Sequence, residues 1–156
     1  LDQPTIGELI RRSSAIKQVV IEQDLYHPGI RHQLNFGHTV AHALETLKGP
    51  TQSHGGAVCL GMLVEARCLV AANRLNPNVV SALETQLTAL KLRTQCPLSR
   101  QDIERLVHLC LRDKKNQNNT MFLVALSDLG AVDPANLIAI DQLLFQDVCD
   151  EFFSTP

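Results

Sequence analysis

The sequence predicts a mainly α fold, a helical bundle that carries one small β-hairpin. Apolar residues recur at helical spacing along most of the chain. Aromatics make up only 4% of it, with no Trp and one Tyr, so the core must come from Leu, Val, Ile and Ala. One segment, MFLVAL from Met121, changes to the short unbroken apolar run that forms a strand. At 156 residues and 45% apolar, the chain suits a single domain that buries a core without metal or disulfide staples.

The first helix opens at Pro4 and Thr5, carries Ile6, Leu9, Ile10, Ile16, Val19 and Val20 at helical spacing, and ends near Asp24. Residues 25–33, with Pro28 and Gly29, read as a loop. A second helix starts around Phe36 and Gly37, runs to about Leu47 and is stopped by Gly49 and Pro50. After a polar loop at 51–53, residues 54–72 contain AVCLGMLVEARCLVAA, the most apolar stretch of the chain, which predicts a buried central helix. Pro77 opens an amphipathic helix through Leu90. Ser99 with Asp102 resembles a capping box for a helix through Leu111. The strand at 121–126 pairs with 130–132, and Asp141 caps a last helix that ends by Phe153. No internal repeat, low-complexity segment or interdomain linker breaks this order.

Charge narrows the function. The net charge is −2 and the basic residues are scattered, which excludes the basic face of a nucleic-acid binder. No apolar run approaches the length of a membrane span and no signal peptide opens the chain. Five cysteines (Cys59, Cys68, Cys96, Cys110 and Cys149) lack CxxC spacing, and four sit among apolar residues. They read as reduced core residues of a cytoplasmic protein. The first residue is Leu1, as expected of a piece of something longer.

One stretch carries chemistry. His38 and His42 stand four apart and share a helical face, and His54 opens the next helix, followed by Gly55 and Gly56. Two antiparallel helices with a short connection bring His38 and His54 together. Imidazoles converging from separate helices suit a divalent metal. Spacing alone leaves plainer readings open. A histidine pair at this spacing arises by chance, and paired glycines serve tight helix packing. Lys17 and Arg31 fit ordinary solvated charges. Asn35 fits a helix N-cap. Lys114 and Lys115 sit at a helix C-terminus, where positive charge is favoured anyway.

The phrase LNFGHTVAHALE, followed by SHGGAVCLGMLVEA, resembles the C-terminal domain of the 3-dehydroquinate synthase family, whose pattern is close to LNxGHTxGHAxE and then HGEAVAxGM. Lys17 precedes Val19 and Val20 as in the family's KxxVV element, and Arg31 lies four before Asn35. Arg112-Asp113-Lys114-Lys115 followed by MFLVAL matches its DKK element and strand. The resemblance runs from about residue 16 to 126.

It implies that residues 1–156 are the metal- and substrate-binding half of an NAD- and zinc- (or cobalt-) dependent lyase of the shikimate pathway. That enzyme converts 3-deoxy-D-arabino-heptulosonate 7-phosphate to 3-dehydroquinate and phosphate. An N-terminal Rossmann-like domain, absent from this chain, binds the NAD. By the same resemblance His38 and His54 are two of three metal ligands, the third being a Glu from the end of the N-terminal region. His42 contacts substrate and takes part in proton transfer. Lys17, Arg31 and Asn35 hold the carboxylate, hydroxyl and phosphate oxygens, joined by one of Lys114 and Lys115. Arg and Lys are the side chains such oxyanions need. No glycine-rich dinucleotide fingerprint occurs, so the isolated chain is expected to be inactive. A homodimer is the expected assembly, with no membrane partner.

Three positions depart from the family: Ala41 stands for Gly, Gly56 for the Glu of HGE, and His27 for a loop acid. They leave open a related sugar-phosphate cyclase such as 2-deoxy-scyllo-inosose synthase. Iron- or zinc-dependent alcohol dehydrogenases share the two-domain plan, but the Arg, Asn and DKK elements argue against them. A non-catalytic helical interaction domain is the alternative outside enzymes.

Overall fold

The computed structural model describes residues 3–26, 29–112 and 120–154. In chain order it contains α1 (Gln3–Asp24), a 3-10 turn (Ile30–Asn35), α2 (His38–Lys48), a second 3-10 turn (Gly49–Thr51), α3 (His54–Ala71), α4 (Pro77–Ala89), α5 (Arg100–Leu111), β1 (Thr120–Asp128), β2 (Ala131–Asp141) and α6 (Gln142–Phe153). The helical bundle with one hairpin is the architecture that the sequence predicts.

α3 is the axis of the bundle. It packs against α2, α4, α6 and β1, and α2 also packs on α5. Leu60, Leu63, Val64 and Leu69 are fully buried along it. Here one sequence expectation needs correcting. By length and composition this 18-residue helix, with mean hydropathy 1.3, is apolar enough to cross a membrane. A helix covered by neighbours on several sides needs no polar face, so a core helix meets the same criterion.

Local chemistry explains the helix starts. Ser53 accepts a hydrogen bond from the Gly56 N–H, Ser99 from that of Asp102, and Asp141 from that of Leu143, each taking up one of the donors that a helix start leaves without a partner. The start of α2 is built differently. Its N-cap is Gly37 in the left-handed region (φ 81°), with no side-chain cap of its own. Asn35 instead closes the preceding 3-10 turn, which corrects both its reading as a helix cap and the reading of residues 30–33 as loop.

Gly37 and Gly61 let α2 and α3 cross closely. A Cβ at Gly61 would stand 2.0 Å from the Gly37 carbonyl oxygen, and one at Gly37 would meet the Met62 nitrogen at 2.7 Å. No side chain fits between these backbones.

The hairpin is larger than expected, because β2 continues well past residue 132. β1 and β2 pair antiparallel from Thr120↔Asp141 to Asp128↔Ala131, with the register breaking around Leu126. Val124 pairs with Leu137 and Leu126 with Val132, so residues 133–136 all lie opposite Ala125. From the bulge the Asn136 side-chain amide donates to the Gly29 carbonyl, tying the hairpin to the turn before α2.

α1 differs most from the rest. Its apolar residues are spaced as expected, yet Leu9, Ile10, Ile16 and Val19 are exposed and only Val20 is buried.

Gly61→Ala is expected to destabilise the fold by about 3 kcal/mol, as overpacking of a tight contact does. Gly7→Ala in α1, where nothing lies within 4 Å, should gain about 0.5 kcal/mol. Urea unfolding of both variants checks this, and equal midpoints would contradict the close crossing.

Candidate metal centre

His38 is the first residue of α2, and His54 is the first of α3. The Gly49–Thr51 turn folds the chain back so that the two rings meet, with centroids 5.5 Å apart. His42 lies one helical turn after His38, its ring centroid 5.6 Å from the His38 ring. His38, His42 and Glu45 fall at positions i, i+4 and i+7 of α2, one stripe on one face. His54 docks on that stripe: its Nδ1 is 3.0 Å from Glu45 Oε1.

The hydrogen bonds distinguish the two nitrogens of each ring. The Nδ1 of His38 stands 3.2 Å from the Phe36 carbonyl oxygen, and that of His54 faces the Glu45 carboxylate. Both partners are acceptors, so each ring donates from Nδ1 and keeps its Nε2 lone pair for a ligand. Metal-binding imidazoles are ordinarily oriented in this way. His38 is half-buried, while His42 and His54 are exposed, so the pair opens to solvent. Among the described residues no group of three His, Cys, Asp or Glu is arranged to hold a metal ion. The arrangement therefore offers two ring nitrogens, short of a full ligand set, and a tetrahedral ion needs a further ligand from elsewhere.

Two acidic residues were given no role in the sequence reading. Glu45 orients His54. Glu65, on α3, is fully buried and accepts from the Gly37 N–H (2.9 Å) and the Thr39 N–H (3.1 Å), the residues on either side of His38. Its carboxylate thus sits at the positive end of the α2 dipole. The signal for Glu65 was present: an acid within an otherwise apolar helix is almost never buried without a partner. For Glu45 it was the i+7 spacing from His38.

The other expected site residues are more dispersed in environment. Lys17 is exposed on α1, and Arg31 is exposed in the 3-10 turn. The backbone N–H groups of Arg31 and Gly29 both donate to Asp24 Oδ1, at 3.0 and 2.9 Å, which anchors that turn to the end of α1. Asn35 is half-buried at the end of the same turn. Lys114, Lys115 and His27 lie outside the described residues. Gly56 stands where the family pattern has Glu, and its N–H donates to Ser53 Oγ at 3.3 Å.

The cysteines are free, with Cys68, Cys96, Cys110 and Cys149 buried and Cys59 half-buried. None belongs to the histidine cluster. Burial first, then the negative charge of Glu65, pushes the Cys68 thiol far up. Burial likewise pushes Cys149 well above the usual thiol range, and Cys59 less so.

The family described as "3-dehydroquinate synthase C-terminal" matches residues 1–116. The "3-dehydroquinate synthase" of Corynebacterium diphtheriae is 36% identical over 127 residues, which cover 81% of this chain and 35% of that protein. That of Bartonella bacilliformis is 34% identical, over 90% of this chain and 39% of its own length. Among solved structures, 2-deoxy-scyllo-inosose synthase complexed with carbaglucose-6-phosphate, NAD+ and Co2+ superposes with a TM-score of 0.81 at 22% identity, covering 97% of this chain and 42% of that one. The chain thus spans well under half the length of these relatives.

A thiol raised above its ordinary pKa stays protonated through neutral pH and becomes a reactive thiolate only when pH climbs past the raised value. In the native protein at mildly alkaline pH, Cys59 should therefore react slowly with a thiol reagent while Cys68 and Cys149 stay unmodified. Denaturant should release all five. Rapid native labelling of Cys68, read by mass spectrometry, would contradict its burial.

Proposed function

The chain belongs to the 3-dehydroquinate synthase family as its C-terminal domain, and we propose from that premise that it supplies the metal- and substrate-binding half of a cytoplasmic enzyme converting 3-deoxy-D-arabino-heptulosonate 7-phosphate to 3-dehydroquinate and phosphate. The observation that carries this reading is the pair of imidazoles 5.5 Å apart, each with its Nδ1 committed to an acceptor. His38 and His54 would hold Zn2+ or Co2+ through Nε2, with a carboxylate from the N-terminal portion of the whole protein completing the set. When bound, the ion would polarise the substrate hydroxyl that NAD, held by that portion, transiently oxidises.

The remaining roles fall to this chain's own side chains. His42, on the same face of α2 as His38, is proposed to move the proton at the substrate's reacting end, a task suited to an imidazole near neutral pH. Lys17, Arg31, Asn35 and a lysine of the Lys114–Lys115 pair would bind the carboxylate, hydroxyl and phosphate oxygens, with Arg31 able to grip an oxyanion through two parallel hydrogen bonds. The cationic charge of the lysines and Arg31 would offset a substrate that carries two anionic groups, and Asn35 would add a neutral hydrogen bond.

A second reading rests on Gly56. With no carboxylate at this position, the rim of the site differs from the family pattern. This favours a related cyclase acting on another sugar phosphate.

The chain alone is expected to release no phosphate at an enzymatic rate from the heptulosonate phosphate with NAD and zinc supplied. Two imidazoles hold the ion weakly, and an uncovered site leaves water around the reacting groups. Adding the N-terminal half of a relative should restore turnover, and His42→Ala in that assembly should lower kcat by about 10²- to 10⁴-fold. Fast turnover by the 156-residue chain alone would overturn the reading. Restored turnover of a hexose 6-phosphate with none of the heptulosonate phosphate would decide for the second cyclase.

A further inference from the structure

We propose that Glu65 is the positioning residue that holds His38 ready for metal. The consequence for metal affinity rests on the reading of His38 and His54 as ligands, whereas the positioning itself is a property of the metal-free chain.

Three observations converge on it. Glu65 is fully buried, and the two oxygens of its single carboxylate accept from the Gly37 and Thr39 N–H groups. Those residues flank His38 on both sides, so this clamp from α3 fixes the backbone that aims the His38 side chain. Next, α2 has no N-cap side chain of its own, because Gly37 occupies that position in a left-handed conformation. Glu65 therefore replaces the local Ser, Thr, Asp or Asn that starts the other capped helices. The Phe36 carbonyl that orients the His38 ring lies immediately before the clamped segment, so movement of Gly37 would also release the ring.

The third observation is electrostatic. His38 stands at the N-terminus of α2, the positive end of the helix dipole, where a bound cation is disfavoured. A negative charge buried against the same N–H groups offsets that end at low dielectric, where its effect is larger than in water. Glu65 thus acts on the site in two ways: it fixes the direction of a ligand, and it makes the helix start hospitable to a cation. It touches neither ion nor substrate.

Glu65→Gln keeps the shape, removes the charge, and turns an NH2 group toward one of the two donors. Glu65→Asp keeps the charge and withdraws it from at least one N–H. Phe153→Leu, at a fully buried core position of α6, serves as a control that lowers stability without touching the start of α2. In the zinc-free chain, nitrogen NMR of the His38 ring should show the Nδ1–H tautomer dominant, and both Glu65 variants should mix the two tautomers while the control does not. At a temperature where all four proteins are folded, competition with a chelating dye should show zinc binding weakened about 10- to 100-fold by Glu65→Gln and unchanged in the control. An unaltered His38 ring in both Glu65 variants would overturn the proposal. So would equal zinc affinity of Glu65→Gln and the parent. That comparison applies where the parent binds zinc measurably; if zinc in large excess leaves the parent's His38 and His54 rings unaltered while the His38 ring responds to Glu65, the positioning stands and the metal reading fails.

Discussion

The structure depends on one backbone contact, the crossing of α2 and α3 at Gly37 and Gly61. The two helices meet with no side chain between them, since even a methyl at Gly61 would lie 2.0 Å from the Gly37 carbonyl oxygen. That proximity lets Glu65, one turn beyond Gly61 on α3, reach the start of α2. It also sets how α3 leaves its own first residue, His54, relative to the histidine stripe of α2. If the helices stood apart by one side-chain layer, Glu65 would be a buried charge without its donors and the histidine pair would be separated. Packing and site are therefore one constraint: the glycines that seem to serve only compactness also set the distance between the two imidazoles.

Electrostatics follows the same geometry. His38 and His54 are each the first residue of a helix, so both lie at ends that repel cations. Each is accompanied by a carboxylate: Glu65 at the start of α2, and Glu45 on the His54 ring. Glu45 orients an imidazole through its remaining nitrogen, the usual outer support of a metal-bound histidine, while Glu65 acts on the backbone. An exposed, two-histidine arrangement supported in this manner is poor as a closed structural site. It suits a site that is completed and covered by another part of a larger protein, in keeping with relatives more than twice the length of this chain.

Much of this was legible in the sequence. The helix starts carried their own caps at Ser99 and Asp141, and the histidine spacing with a short connection between two antiparallel helices pointed to the pair that meets in space. What stayed hidden has physical causes. The second strand was read over 130–132 alone, because the bulge that carries it on to Asp141 requires a partner strand, and pairing is not a local property. Residues 30–33 look like loop because a 3-10 turn has little periodicity of its own. Glu65 was passed over because a helical acid normally faces water, and its partners are backbone N–H groups 26 and 28 positions away. No spacing rule finds such a contact. The apolar residues of α1 predicted the helix correctly but not its surroundings, since periodicity marks a face and says nothing of what covers it.

The central claim is that α2 and α3 bring His38 Nε2 and His54 Nε2 to one point in space. A crystal of this chain soaked in Zn2+, with data collected at the zinc absorption edge, tests it most directly. The account predicts one anomalous peak about 2.0–2.1 Å from both nitrogens, with Glu45 still on His54 Nδ1 and the Phe36 carbonyl still on His38 Nδ1. A peak bound to only one of the two rings, or two imidazoles turned away from each other in the soaked crystal, would contradict it.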